Sequence, residues 1–226
     1  MSQKAQGRTI SSARKLTTVA VMSALATVLM YLEIPIPLVP SFIKLDFSEL
    51  PALLTSFALG PWYGVLVCLI KNLLHMPASS SAFIGELSNF LLGTLFVLPA
   101  GYIYERHRSK KSALTGSLVG AVCMTALSYL TNFYIVYPFY EKAFMPEQAI
   151  LSAYQAILPS VHSLSQAILI FNVPFTFVKG MLDVLLTFLL YKRVSPIILN
   201  EKQPKKKKRR RSAGAGAIAD KSEDNS

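Results

Sequence analysis

The stretch Leu50-Pro51-Ala52-Leu53-Leu54-Thr55-Ser56-Phe57-Ala58-Leu59-Gly60-Pro61-Trp62-Tyr63-Gly64-Val65-Leu66-Val67-Cys68-Leu69-Ile70 decides how this chain folds. It holds 21 residues without a charge, and a single helix of that length crosses a hydrocarbon core of about 30 Å. Read so, the chain has five spans, and either the basic Arg106–Lys111 loop or the basic N-terminus is left outside. Gly60-Pro61 offers the other reading. Glycine is favoured just past the end of a helix and proline in the first turn of the next, so the dipeptide marks a break. Splitting there yields six spans. It also puts the N-terminus, the Arg106–Lys111 loop and the C-terminal basic tail on the cytoplasmic side, as the bias of Lys and Arg toward inner loops requires. The outer loops then carry Glu33, Asp46, Glu49, Glu141 and Glu147 against Lys44 and Lys142.

The rest of the chain supports a membrane setting. Of its 226 residues, 52% are hydrophobic and 15% charged, too apolar for an ordinary soluble domain. Further uncharged runs occupy Leu16–Leu32, Leu87–Tyr104, Ser112–Tyr140 and Gln148–Val178. A secreted disulfide scaffold, a soluble dinucleotide-binding enzyme and a largely disordered chain are excluded. The expected fold is all-α, an integral membrane six-helix bundle with both termini cytoplasmic and short second and third helices. Its domains are a cytoplasmic segment (1–13), the transmembrane domain (14–194) and a basic, disordered tail (195–226). The helices are read as Leu16–Leu32, Leu50–Leu59, Pro61–His75, Phe83–Tyr104, Ser112–Val136 and Ala167–Tyr191, with Tyr137–Gln166 as an outer connection holding an interfacial helix. The first helix is read as retained, because no small-residue cleavage site follows it. Helices of 10–15 residues fall short of the bilayer and are tolerated where protein surrounds them or they line a cavity.

The net charge of +11 is a matter of position. Eleven of the 23 basic residues follow Tyr191, including the unbroken run Lys205–Arg211. Attraction to anionic lipid on the inner face accounts for them, and nucleic acid is not expected as a partner. Cys68 and Cys123 lie in apolar runs and read as small buried hydrophobes; His75, His107 and His162 stand apart from one another. No phosphate-binding loop, G-x-S-x-G or H-E-x-x-H is present, so neither ATP hydrolysis nor those hydrolytic chemistries are encoded. No metal cluster and no resident cofactor are expected.

Ionisable residues inside membrane segments are costly and point to a site or an internal pair. Here they are Lys71, Glu86, Lys179 and Asp183. Lys179 and Asp183, four apart, are placed to face each other, either as a structural pair or with Lys179 turned into a ligand cavity. Lys71 is read near the cytoplasmic end of helix three, its ammonium snorkelling. Glu86 is read as a carboxylate at the outer boundary of helix four. Asn72, Asn89, Asn132 and Asn172 are carboxamides able to bridge helices or to read the edge of a heterocycle. Tyr129, Phe133, Tyr134, Phe171 and Phe175 are candidate flat walls. Small-residue stripes at Ala20/Ala24, Ser23/Thr27 and Ser112/Gly116/Gly120 mark faces for close packing or for docking another membrane protein.

Several of these stretches resemble the substrate-binding S components of energy-coupling factor (ECF) vitamin transporters, specifically the riboflavin-specific ones. They are Lys44-Leu45-Asp46-Phe47-Ser48-Glu49-Leu50-Pro51, Phe57-Ala58-Leu59-Gly60-Pro61 with Lys71-Asn72-Leu73-Leu74, Gly85 with Asn89-Phe90-Leu91 and Gly93, Asn132-Phe133-Tyr134, and Pro174-Phe175-Thr176-Phe177-Val178-Lys179-Gly180. The resemblance spans about Arg14 to Val194. It implies a six-helix bundle of the bacterial plasma membrane that captures riboflavin from outside. Delivery would require a transmembrane coupling subunit and two ATPase subunits, which use the ATP. It implies no enzymatic activity. It assigns Leu45, Asn89, Asn132, Thr176 and Lys179 to the substrate, and Ala20 and Ala24 to the coupling subunit. The family pattern in helix six has Asn where this chain has Thr176, which offers one hydroxyl in place of a separate donor and acceptor. Three alternatives stand beside riboflavin capture: the same fold carrying another vitamin or small heterocycle, a membrane enzyme, and a structural or regulatory membrane protein.

Overall fold

The structure, a computed structural model, describes residues 11–79 and 81–199, with side chains to residue 190. Most of the sequence-assigned terminal segments, 1–13 and 195–226, therefore lies outside the described residues. Helix α1, Ser12–Tyr31, begins where the Ser11 hydroxyl accepts the Arg14 N–H; this cap moves the start four residues ahead of the apolar run. A proline-rich loop follows, clipped by two-residue strands β1 (Ile34–Pro35) and β2 (Lys44–Leu45), which pair antiparallel with Ile34 opposite Leu45. This small ladder sits in a fold that is otherwise built of helices, as expected. Pro35 and Pro37 confine the ladder, since proline has no N–H to extend it.

Helices α2 (Glu49–Leu59) and α3 (Pro61–His75) are separated at Gly60, whose φ of 115° is a backbone conformation open to glycine. At about 16 and 22 Å, neither is a long helix, and α2 is buried at every residue from Glu49 to Ala58. A helix enclosed on all sides belongs inside a protein, which is how an 11-residue segment satisfies its surroundings. Gly64 lets α3 approach α2: a Cβ there would lie 2.7 Å from the Ser56 Cβ.

Helix α4, Ile84–Arg106, runs back along the bundle and is followed by α5, Lys110–Thr131, started by the Ser109 hydroxyl accepting the Ser112 N–H at 3.1 Å. A π-helical turn, Asn132–Val136, joins α5 to α6, Tyr137–Ala143. Helical structure thus continues seven residues past the expected end at Val136, and the outer connection begins only after Ala143. Within it lie α7 (Glu147–Gln155) and α8 (Leu164–Ala167). A second π turn, Ile168–Asn172, leads into α9, Val173–Leu199. Among the described residues, four helical segments, Ser12–Tyr31, Ile84–Arg106, Lys110–Ala143 and Leu164–Leu190, are long and apolar enough to cross a membrane.

Two cores hold the bundle. One surrounds α2 and includes Leu53, Phe57, Val67, Phe96, Ala121 and Met124; the other is aromatic and gathers Tyr137, Tyr140, Tyr154, Ile168 and Phe171. The glycine stripe of α5 is a packing face, because a Cβ on Gly116 or Gly120 would lie 2.7 or 2.4 Å from the carbonyl oxygens of Ala100 and Phe96 on α4. On α1, Ser23 and Thr27 face inward, whereas Ala20 and Ala24 are exposed beside Val21, Leu25 and Val28.

Candidate functional site

The loop after α1 delivers Asp46, Ser48 and Glu49 into the bundle at the first turn of α2. There they meet a lysine from α3 and another from α9. Lys71 Nζ donates to Glu49 Oε1 at 2.8 Å and to the Ser48 hydroxyl. Ser48 donates its hydroxyl and its backbone N–H to Asp46 Oδ1. Lys179 Nζ donates to Asp46 Oδ2 at 2.9 Å and lies 3.0 Å from Glu49 Oε2. The five side chains close a ring, and its formal charges, two positive and two negative, cancel. Buried ions are tolerated when paired and hydrogen-bonded in this way. Burial alone would push the Asp46 carboxyl up, but Lys179 and Lys71 hold it well below the usual carboxylate range.

Lys179 borders a cavity with about 750 Å³ of empty space, counting its open mouth. Asn89 and Ser88 of α4, Asn132 and Met124 of α5 and its π turn, and Thr176 and Phe175 of α9 face it, as does Glu49. Asn89 Nδ2 donates to Asp46 Oδ2 at 3.3 Å, and Asn132 Nδ2 to the Ser128 carbonyl at 2.8 Å. Both π turns end on cavity residues: Asn132 and Val136 in one, Asn172 in the other. An extra residue in a helical turn re-aims the side chains around it, and such turns recur at functional sites.

Beside the cavity, Tyr137, Tyr154 and Asn172 form a closed triangle. The Tyr154 hydroxyl donates to Asn172 Oδ1 at 2.7 Å, Asn172 Nδ2 donates to the Tyr137 oxygen at 2.8 Å, and the two phenols bond to each other. Because the Tyr154 proton is used on Asn172, Tyr137 must be the donor between the phenols. Phe42 from the loop packs here, edge-on to Tyr154 at 5.9 Å and tilted on Tyr140 at 5.7 Å. The cavity thus joins an aromatic and aliphatic wall to a polar one that includes Glu49, Asn89, Asn132, Thr176 and Lys179, and placed polar groups of this kind orient a ligand in a small-molecule site.

The comparisons with known proteins decide the family. The model of the ECF transporter substrate-specific component matches residues 14–191. This chain belongs to the S components of ECF transporters. It is 34% identical over 182 residues to the riboflavin transporter RibU of Staphylococcus aureus, covering 80% of this chain and 90% of the relative. Against the riboflavin transporter FmnP of Bacillus subtilis it is 30% identical over 192 residues, covering 84% and 96%. A solved S component of a bacterial ECF transporter superposes with a TM-score of 0.66 at 32% identity, covering 83% of this chain and 99% of that one. ThiT from Listeria monocytogenes, at TM-score 0.58 and 14% identity over 82% of this chain and 96% of that one, shares the fold.

In this S component, four of the sequence-assigned substrate residues, Asn89, Asn132, Thr176 and Lys179, are brought to one cavity. Leu45 is not among its lining residues; it is buried in β2, between Lys44 at the cavity and Asp46 in the ring. The Lys179–Asp183 pair is corrected: Lys179 turns to Asp46 and Glu49, and neither Asp183 oxygen has a hydrogen-bond partner. The loop carboxylates meet the ammonium from across the cavity, which a pattern along one helix does not reveal. Lys71 does not snorkel. It is fully buried, at the end of α3 that adjoins the start of α2. Glu86 is likewise buried and paired, with His75 Nδ1 at 2.8 Å and the Ser79 hydroxyl at 2.8 Å. Of the expected flat walls, Phe175 alone lines the cavity; Tyr129 and Phe133 stack on each other elsewhere and Tyr134 is exposed. Phe42, Tyr137 and Tyr140 take that place. Glu49 and Asp46 were legible as outer-loop acids and as members of the Lys44–Pro51 motif, without a role at the site.

Proposed function

We propose that this S component captures riboflavin from outside the cell and mediates its uptake together with a transmembrane coupling subunit and two ATPase subunits, transport and not catalysis being its work. The observation that carries the reading is the Lys179 ammonium, charge-balanced by Asp46 and Glu49, bordering a cavity with Asn132 and Thr176. An ammonium whose charge is already met by carboxylates suits an uncharged acceptor, and the pyrimidine edge of a flavin offers carbonyls flanking an N–H. Lys179 donates to one carbonyl, while Asn132 serves the N–H and the other. Phe42, Phe175, Tyr137 and Tyr140 supply apolar surface for the planar rings. The names of the relatives in Staphylococcus and Bacillus support the same ligand.

The chain crosses the bacterial plasma membrane six times in this reading, with both termini inside, α2 and α3 forming a short pair broken at Gly60. The break itself and the placement of basic residues support that count. Ala20 and Ala24, exposed on α1, serve as the contact with the coupling subunit. Thr176 favours a second reading, another small heterocycle in the same cavity, because the resemblance puts Asn there. An absorption spectrum of the detergent-purified protein, followed by riboflavin titration with flavin-fluorescence quenching, separates the two. A flavin band with saturable quenching is the expected result; a colourless protein that leaves riboflavin fluorescence unchanged removes the vitamin assignment.

A further inference from the structure

Lys71 lies outside the cavity, yet both carboxylates that grip Lys179 are tied to it. Its side chain has no exposure. From its ammonium, one path runs through Glu49, whose Oε1 is 2.8 Å from Lys71 and whose Oε2 is 3.0 Å from Lys179. The other runs through Ser48 to Asp46, whose Oδ2 is 2.9 Å from Lys179. The polarity of this second path is fixed. An ammonium can only donate and a carboxylate only accept, so the Ser48 hydroxyl takes a hydrogen bond from Lys71 and gives its own proton to Asp46.

We propose that Lys71 is a positioning residue, orienting the Lys179 ammonium toward the ligand through Glu49 and through Ser48–Asp46 without touching the ligand itself. This rests on the riboflavin reading, in which Lys179 donates to a flavin carbonyl. An ammonium has three N–H groups in tetrahedral array. One is given to Asp46 Oδ2, and Glu49 Oε2 lies 3.0 Å away as an ion-pair partner; when those carboxylates are themselves anchored, the directions open to the remaining N–H groups are restricted. Remove the anchor and Glu49 loses its hold while Asp46 keeps only the Ser48 backbone N–H and Asn89 Nδ2, so the ammonium shifts and its unshared N–H groups lose their aim. Preorganised donors lose less freedom on binding than mobile ones, so the anchor registers in affinity.

One variant severs a single path and a second removes the anchor of both. Ser48→Ala breaks the path to Asp46 with no change of charge; Lys71→Met combined with Glu49→Gln removes the anchor as a balanced pair, which keeps the protein free of an uncompensated buried ion. The readouts are the riboflavin Kd by fluorescence quenching and the absorption maximum of the bound flavin, which responds to hydrogen bonding at a ring carbonyl. A residue that merely props α2 against α3 would not move that band. Expected are binding about 3- to 10-fold weaker for Ser48→Ala and at least about tenfold weaker for the balanced pair, with the band displaced toward that of Lys179→Met. In a Lys179→Met background, Ser48→Ala should add less than about twofold. An unmoved band with parental affinity in both variants overturns the proposal, as does an undiminished Ser48→Ala effect in the Lys179→Met background. A parent protein that neither quenches riboflavin nor shifts its band overturns the ligand assignment instead, and is told apart because no variant is needed to see it.

Discussion

Replacing Lys179 should uncouple affinity from stability, and only in a particular pair of variants. In Lys179→Met the carboxylates of Asp46 and Glu49, 2.9 and 3.0 Å from the ammonium, keep Lys71 as the one cation of the ring. An excess negative charge is then left in a site where the side chains of Asp46 and Glu49 are 6% and 2% exposed. Removing one partner of a buried ion pair costs about 3–5 kcal/mol, so this single variant should melt well below the parent. A hydrogen bond from a charged donor contributes about 1.5–3 kcal/mol, which corresponds to roughly a 10- to 150-fold loss of riboflavin affinity. Adding Asp46→Asn removes one charge of each sign. The double variant should regain most of the lost melting temperature and none of the lost affinity. Fluorescence-quenching titration in detergent measures the first quantity and a thermal melt of the same sample the second. A double variant that is folded and binds riboflavin within threefold of the parent would refute the assignment of Lys179 to the ligand.

Three further outcomes follow from other parts of the structure. Gly120→Ala, which a free helix would welcome by about 1 kcal/mol, should instead destabilise by about 1–3 kcal/mol, because its Cβ would lie 2.4 Å from the Phe96 carbonyl; a melting temperature equal to or above the parent's would contradict the α4–α5 contact. The contribution of Asp46 to riboflavin affinity should be constant from pH 8 to pH 5. Asp46 is held below its unfolded value of about 3.9, so its contribution is complete above that value and is lost only as pH falls beyond it; a titration of affinity with a midpoint near 6 would place another group in control. Ala24→Trp should leave riboflavin affinity within twofold and abolish co-purification with the coupling subunit, since Ala24 is exposed on α1 away from the cavity; retention of the complex would move the docking face elsewhere.

Much of the fold could be read from local pattern. The Gly60-Pro61 dipeptide marked the α2–α3 break because only glycine accepts the φ of 115° found there. The spacing of glycines on α5 marked a tight face, and the close approach to α4 is the reason for it. Asn89, Asn132, Thr176 and Lys179 were singled out as buried polar residues in apolar runs or through the resemblance, and one cavity collects them. What failed were inferences that took the nearest residue in sequence as the partner. Asp183 stands one turn from Lys179, yet the loop supplies the carboxylates. His75 and Glu86 looked unrelated, one isolated and one at a boundary, and are bonded across the α3–α4 connection. The helix end at Val136 was missed because a π turn preserves the apolar run while shifting its register.

The sequence by itself determined a helical membrane chain, the break at Gly60 and which buried polar residues needed an explanation, since all of these depend on neighbours along the chain. The tertiary structure alone decided who meets whom. Lys71 from α3, Lys179 from α9 and the carboxylates of the loop and α2 are separated by up to 133 positions, and no periodicity relates them. They meet because an ion excluded from water must find an opposite charge, and the bundle brings those charges within 3 Å of one another.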